Sequence, residues 1–249
     1  MKRLFYILVF LFSMATMAQN NSLFEQGKER YKQEKYQEAI ASWAKIIDNG
    51  SHSANLYFNL GNAHYKLNNV GQSIYYYEKA IQLAPLDSDI KMNLGFAENA
   101  RIDAIEPLPK TIFSKWHTAV SGLFSFNGWA WLAVLFSFIF CLLFLLYYFS
   151  SVETKKRILF VSSAVSFLLF LASFTMAFQV QREMLNDNPA IIFSESVEVK
   201  GEPKMGSAVS FILHEGTKVQ ITDRDDNWVR VKLVNGKDGW MTSADLKPL

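Results

Sequence analysis

The residue types that most often carry chemistry are sparse in this chain. Four histidines, His52, His64, His117 and His214, share no metal-ligand spacing. The one cysteine, Cys141, cannot form an internal disulfide and sits inside an apolar run, where a nucleophile would meet no water-borne substrate. Asp223, Asp225 and Asp226 cluster without the glycine and glutamate of a calcium loop, so they read as a solvated turn. No phosphate-cradling glycine loop and no serine elbow is present. The net charge of +2 over 249 residues gives no general pull toward nucleic acid. The expectation is a protein that holds other proteins, not an enzyme, with no catalytic residue, no metal and no cofactor.

The elements that would present such a protein are set first by three apolar segments. The start, "MKRLFYILVFLFSMATMAQNN", has two basic residues, an apolar stretch and small residues before Ala18. That is a secretory signal peptide over 1–18 with cleavage between Ala18 and Gln19. The other reading is an uncleaved anchor, for which the run is short. Residues 128–150 and 158–179 hold two further runs, and 128–149 and 158–178 within them carry no charge. Each charge-free run spans about 32 Å as a helix, which matches a hydrocarbon core of about 30 Å. Trp129, Trp131, Tyr147 and Tyr148 mark the ends of the first. The loop 151–157 between them carries Lys155, Lys156 and Arg157, which makes it cytoplasmic and places both flanking regions outside the inner membrane, in the periplasm. Segment 107–127 is a linker or a helix lying in the membrane interface.

Gly27, Gly61 and Gly95 are spaced by 34 residues, as are Tyr31 and Tyr65, Ala39 and Ser73, and Trp43 and Tyr77. A 34-residue period with glycine, aromatic and small residues in phase marks a helix-turn-helix repeat. Residues 54–87 resemble the tetratricopeptide family, with Leu60-Gly61, Tyr77, Ala80 and Pro85 at matching positions. The repeat region is expected over 19–106, with a lone third helix that caps the stack, runs toward Ile105 and is broken by "EPLP". Gly61, Ser73 and Ala80 would let the paired helices approach. The resemblance implies a concave groove, faced by Lys28, Tyr31, Asn59, Asn62, Tyr65, Lys66 and Asn93, for a peptide-like ligand. The same residues are equally consistent with a solvated polar face.

After Gln181 the period changes to two. "IIF", "SVEVK", "TKVQIT" and "WVRVKLV" read as strands, and Asn235-Gly236 as a hairpin turn. Residues 186–249 resemble bacterial SH3 domains through Gly216, Trp228, Val231, Gly236 and Gly239-Trp240. That resemblance implies binding of peptides or cell-wall material. Trp228 and Trp240 are either binding aromatics or core residues.

The whole order is similar to the exported E-type proteins of the bacterial aerotolerance (Bat) operon, "IEPLP" and "ILHEGT" included. The fold class expected is a multidomain membrane protein: an all-α tetratricopeptide-repeat domain, two transmembrane helices and a C-terminal all-β SH3-like barrel. The resemblance implies partners among the operon's membrane proteins, some with von Willebrand A domains, and an AAA-type ATPase. The function expected is a non-enzymatic inner-membrane scaffold in contact with membrane lipid and periplasmic proteins. Two other readings stand beside it. One is a cell-wall sensor or anchor with the SH3-like domain on peptidoglycan; the other is an accessory subunit of a membrane enzyme complex.

Overall fold

The computed structural model of the chain describes residues 19–109 and 111–249. The signal peptide expected over 1–18, Ala18 included, lies outside the described residues. The chain divides into two compact units. One joins the N-terminal helices to the C-terminal strands, and the other is the apolar segment 108–187 between them.

The first unit begins with five helices: α1 (helical over residues 19–32), α2 (Tyr36–Asp48), α3 (Ala54–Lys66), α4 (Val70–Leu83) and α5 (Ser88–Asn99). They pair as α1/α2 and α3/α4, with α5 alone. The turns inside the two pairs carry Glu34 and Asn68, both left-handed with φ near +60° and again 34 positions apart. The glycine pattern has a direct physical basis. A Cβ on Gly61 would lie 2.6 Å from the Tyr77 ring, and one on Gly27 would lie 2.2 Å from Trp43. Both rings are fully buried, so neither can move aside. Ser73 adds a hydrogen bond from its hydroxyl to the Gly61 carbonyl at 2.9 Å. Gly95, third in the series, meets nothing within 4 Å, because no helix follows to pack on it. The helical cost of Gly61 and Gly27 is thus offset by close packing, and that of Gly95 is not.

The lone α5 stops at Asn99 and does not run toward Ile105 as the sequence suggested. The segment after it is drawn onto the strands instead: Ile105 packs on their core, and Asp103 accepts three hydrogen bonds from them. Those strands are β1 (Pro189–Ile192), β2 (Ser196–Lys200), β3 (Val209–His214), β4 (Lys218–Asp225), β5 (Trp228–Lys232), β6 (Asp238–Thr242) and β7 (Leu246–Pro248). They form an antiparallel sheet ordered β3-β2-β6-β5-β4-β1-β7. Alternation selects its core: Val197 and Val199, Val219 and Ile221, Val229 and Val231, and Met241. Gly239 is a glycine because β2 passes so close that a Cβ would sit 2.7 Å from Val199 and 2.8 Å from the Lys200 carbonyl. β1 breaks the alternation, and for a reason. Ala190 and Ile192 enter the sheet's core, while Ile191, on the opposite face, enters the core of the helices. A strand buried on both faces reads as a continuous apolar run, which is what "IIF" is.

The second unit holds α6 (Ile112–Ser121), α7 (Phe126–Phe149) and α8 (Glu153–Asn186). Both α7 and α8 are long and apolar enough to cross a membrane. α8 outruns the apolar stretch at both ends. Lys155, Lys156 and Arg157, expected within the loop 151–157, already lie in its first turns, and it continues past residue 179 to Asn186. "VQREMLN" is polar but rich in good helix formers and holds no breaker before Pro189, so apolarity ends earlier than helicity does. The two helices meet along small residues, Ser163, Ser166, Ser173 and Ala177 of α8 with Ala133 of α7, which permit close approach. Ser166 donates to the Phe136 carbonyl at 2.9 Å, and the Phe140 and Phe167 rings meet at a tilt, 5.2 Å between centres. The outward residues, such as Trp131, Phe138, Leu168 and Phe178, stay exposed. α6 shows Phe113 and Trp116 outward while His117 reaches Gln179 of α8 at 2.7 Å.

The glycine geometry yields opposite outcomes at two formally equivalent positions. Gly61→Ala should destabilise the full-length protein by about 1–3 kcal/mol through overpacking against Tyr77. Gly95→Ala should stabilise it by about 0.5–1 kcal/mol. Thermal unfolding followed by circular dichroism in detergent should show the two shifts with opposite signs. Equal shifts would remove close packing as the reason for the period.

Candidate functional site

The seven groove candidates lie on α1, α3 and α5, the first helices of their repeats, and they do not form one open site. Asn62 accepts from the Tyr77 hydroxyl at 2.6 Å and from Asn93 Nδ2 at 3.0 Å. Asn62 and Asn93 are therefore brought together, as a link between α3 and α5 and their neighbour α4. Burial pushes the Tyr77 phenol up, so the donor keeps its proton. Asn59 donates to the Asn55 carbonyl one turn back at 2.8 Å. Lys28 pairs with Glu25 of its own helix at 2.9 Å. Tyr31 packs edge-on against Tyr36 at 5.2 Å and beside Trp43 at 6.2 Å. Tyr65 and Lys66 are exposed. Within the set, Lys28, Tyr65 and Lys66 are the side chains best placed to reach a ligand.

On the strands, Trp228 and Trp240 are both partly buried and neither belongs to the core. Core positions in their strands fall to Val229, Val231 and Met241, and the register pairs Arg230 with Trp240 and Trp228 with Thr242. The tryptophans alternate with core residues and so share the outer face with Arg230. Both rings are half-buried on that face and stand outside the sheet's core cluster. Asp225, Asp226 and Asn227 form the tip of the β4–β5 hairpin, where Asp226 has φ +53°. Among the described residues no group of three or more His, Cys, Asp or Glu side chains could hold a metal ion. Gln19 is exposed at the start of the described part of α1.

The most connected polar site is one the sequence did not indicate: the seam between helices and strands. Asp103 sits at its centre. His214 N–H donates to Asp103 Oδ2 at 2.7 Å, Thr217 Oγ1 donates to the same oxygen at 2.7 Å, and His214 Nδ1 lies 2.8 Å from Oδ1. Burial alone would push the Asp103 carboxyl up, but hydrogen bonds from His214 and Thr217 outweigh it and hold the group below its ordinary value. A second lock joins Lys218 Nζ to Glu78 Oε1 at 2.7 Å, with Glu78 nearly buried. Around both locks lies apolar contact. Gly216, with φ +80°, brings its backbone against Ile74 and Val70, and Phe193 meets the Tyr75 ring edge-to-face at 5.5 Å. His214 and Gly216 stand in "LHEGT", but nothing local in that stretch names Asp103, 111 residues away, as its partner.

Residues 24–88 match the tetratricopeptide repeat family, and residues 195–247 match the bacterial SH3 domain family. No curated protein matches the chain. Both families are typically non-catalytic interaction domains; the first suggests protein–protein contact and the second cell-wall binding. The helical region is thus tetratricopeptide-like, and the antiparallel sheet is SH3-like.

The seam carries its own pH dependence. Because the Asp103 carboxyl is held below the ordinary carboxylate value of 3.8, its contribution is full above that value and is lost as pH falls through the lower folded one. Asp103→Ala should therefore lower the melting temperature at pH 7. The carboxylate's own share of the gap to wild type should close only below about pH 4. Amide exchange at His214 and Thr217 should quicken in the variant at pH 7. Unchanged exchange there would show that the seam does not depend on this carboxylate.

Proposed function

We propose that the chain is a non-enzymatic membrane scaffold that gathers protein partners on the periplasmic side of an inner membrane. The observation that carries this reading is the compact unit in which a tetratricopeptide-like domain and an SH3-like domain share a seam, although the chain leaves it after Pro107 and returns at Asn188. The interruption contains two helices able to cross a membrane. Two crossings return a chain to the side it left, which lets both interaction domains reach each other; an odd number would part them. The cluster Lys155–Arg157 beside the turn between the spans supports a cytoplasmic turn and periplasmic domains. Similarity to the exported E-type aerotolerance proteins suggests partners with von Willebrand A domains and an associated AAA-type ATPase.

The match to bacterial SH3 domains favours a second contact, to peptidoglycan, with Trp228 and Trp240 on the outer face of the sheet as the aromatic surface. Anchoring at the wall and scaffolding are compatible roles for one protein.

Sidedness can be read in cells carrying Cys141→Ser together with Lys32→Cys, Thr154→Cys or Lys237→Cys. A membrane-impermeant maleimide should label positions 32 and 237 in spheroplasts, and position 154 only after permeabilisation. Opposite behaviour of 32 and 237 would overturn the arrangement. Crosslinking and mass spectrometry in native membranes should recover partners of the full chain, and fewer from the variant Lys28→Ala, Asn59→Ala, Lys66→Ala. Asn62 is best left intact, since its side chain holds Tyr77 and Asn93. Recovery of no protein partner by the wild-type chain would remove the scaffold reading.

A further inference from the structure

The seam's cations are not all matched. Lys218 has Glu78. Two others converge on one ring with no acid. Lys247 of β7 places its ammonium 4.8 Å from the centre of the Tyr75 ring, and Lys79 of α4 places its own 5.7 Å from the same centre. Lys247 also lies 5.9 Å from the Phe193 ring. Among the described residues neither lysine forms an ion pair. Two acids of the seam are engaged elsewhere: Glu78 holds Lys218, and Asp245 accepts from Ser194 and Thr242.

Two like charges brought together by separate parts of the fold repel, and the repulsion is felt locally. Burial and then Lys247 push Lys79 down from its ordinary value. Burial and then Lys247 push His64 down to about 4, so this imidazole, stacked on Tyr76 at 5.3 Å, is neutral at pH 7. The site therefore offers two ammonium groups, a neutral imidazole and an aromatic floor. Tyr75 is 7% exposed and cannot leave that floor without opening the core. A cation held at a ring face keeps its remaining N–H donors for a second ligand.

We infer that Lys79 and Lys247, over Tyr75 and Phe193, form a site for a carboxylate on an acidic peptide segment of a protein partner. This assignment rests on the scaffold reading and names the chemistry of one partner. A carboxylate there would sit in the positive field of both ammonium groups and relieve their repulsion. A peptide chain is favoured because half of the site belongs to the repeat domain and because rings flank the charges, suiting a segment that mixes acidic and apolar residues. The site exists only where α4 meets β7, so neither domain alone would hold it.

The test uses full-length protein in detergent and a fluorescein-labelled peptide with alternating Glu and Leu, read by fluorescence anisotropy. Wild type should bind, more weakly as salt rises. Lys79→Gln with Lys247→Gln should weaken binding about tenfold or more, while Lys79→Arg with Lys247→Arg should retain it. An unchanged melting curve for the Gln variant would tie the loss to the site. Lys35→Gln with Lys45→Gln, two exposed lysines outside both surfaces, serves as the charge control and should bind as wild type does. No binding by wild type, equal loss in the Arg variant, or equal loss in the Lys35→Gln, Lys45→Gln variant would each overturn the assignment. So would retention of the protein by isolated sacculi, abolished by the Gln variant, with no affinity for the peptide. Recovery of partners by crosslinking is independent of all four, so this site can fail while the scaffold reading stands.

Discussion

Burial of Ile191 on the helical side of a strand that also feeds the sheet's own core is the contact on which the architecture turns. Most strands of a small barrel keep one face for water. β1 does not: Ala190 and Ile192 are consumed by the sheet and Ile191 by the helices, all three fully buried. Burial of an isoleucine side chain contributes about 1.5–3 kcal/mol. Exposure of that face would therefore cost on that order before any polar group is counted. The polar locks then add direction. Asp103 and Glu78 are both largely withdrawn from water, and each is tolerable there only with its partner in place.

Two consequences follow for the helical stack. A tetratricopeptide-like array needs caps at its ends, because each repeat cannot bury its faces alone. α5 caps one end, and the open space at Gly95 shows the stack ends there. α4 packs on both α3 and α5, and its residues Val70, Ile74, Tyr75 and Glu78 meet the strands. The concave side, the seam and the outer face of the sheet are then the surfaces of the unit that other molecules can meet. The seam is also what makes the two domains a single body for binding, so that partners see a fixed arrangement instead of two modules on a string.

Much of this was legible in the residues. The 34-residue glycine period predicts pairs of helices in contact at Gly27 and Gly61, since only a missing Cβ admits Trp43 and Tyr77. Alternation in "WVRVKLV" and "TKVQIT" identifies strands, and Asn235-Gly236 marks the turn from β5 into β6, with Gly236 at φ +85°. The groove was less legible. Type and spacing assign Asn62 and Asn93 to a ligand face, but they cannot reveal that the two amides bond to each other and to Tyr77. The end of α5 was misjudged for a related reason: proline marks where a helix must stop, and here the helix stops earlier because its continuation is held by the sheet.

The sequence by itself determined the local elements and their order: helical pairs, two apolar helices, then short strands. Those follow from periodicity, breakers and side-chain size, all of which act between near neighbours. Only the tertiary structure decided that the first and last parts form one unit, that Trp228 and Trp240 face outward, and that Asp103 meets His214. Such pairings join residues more than a hundred positions apart, and neither partner carries a local mark of the other. They are fixed by which buried faces and which charges remain unsatisfied once the local elements have formed.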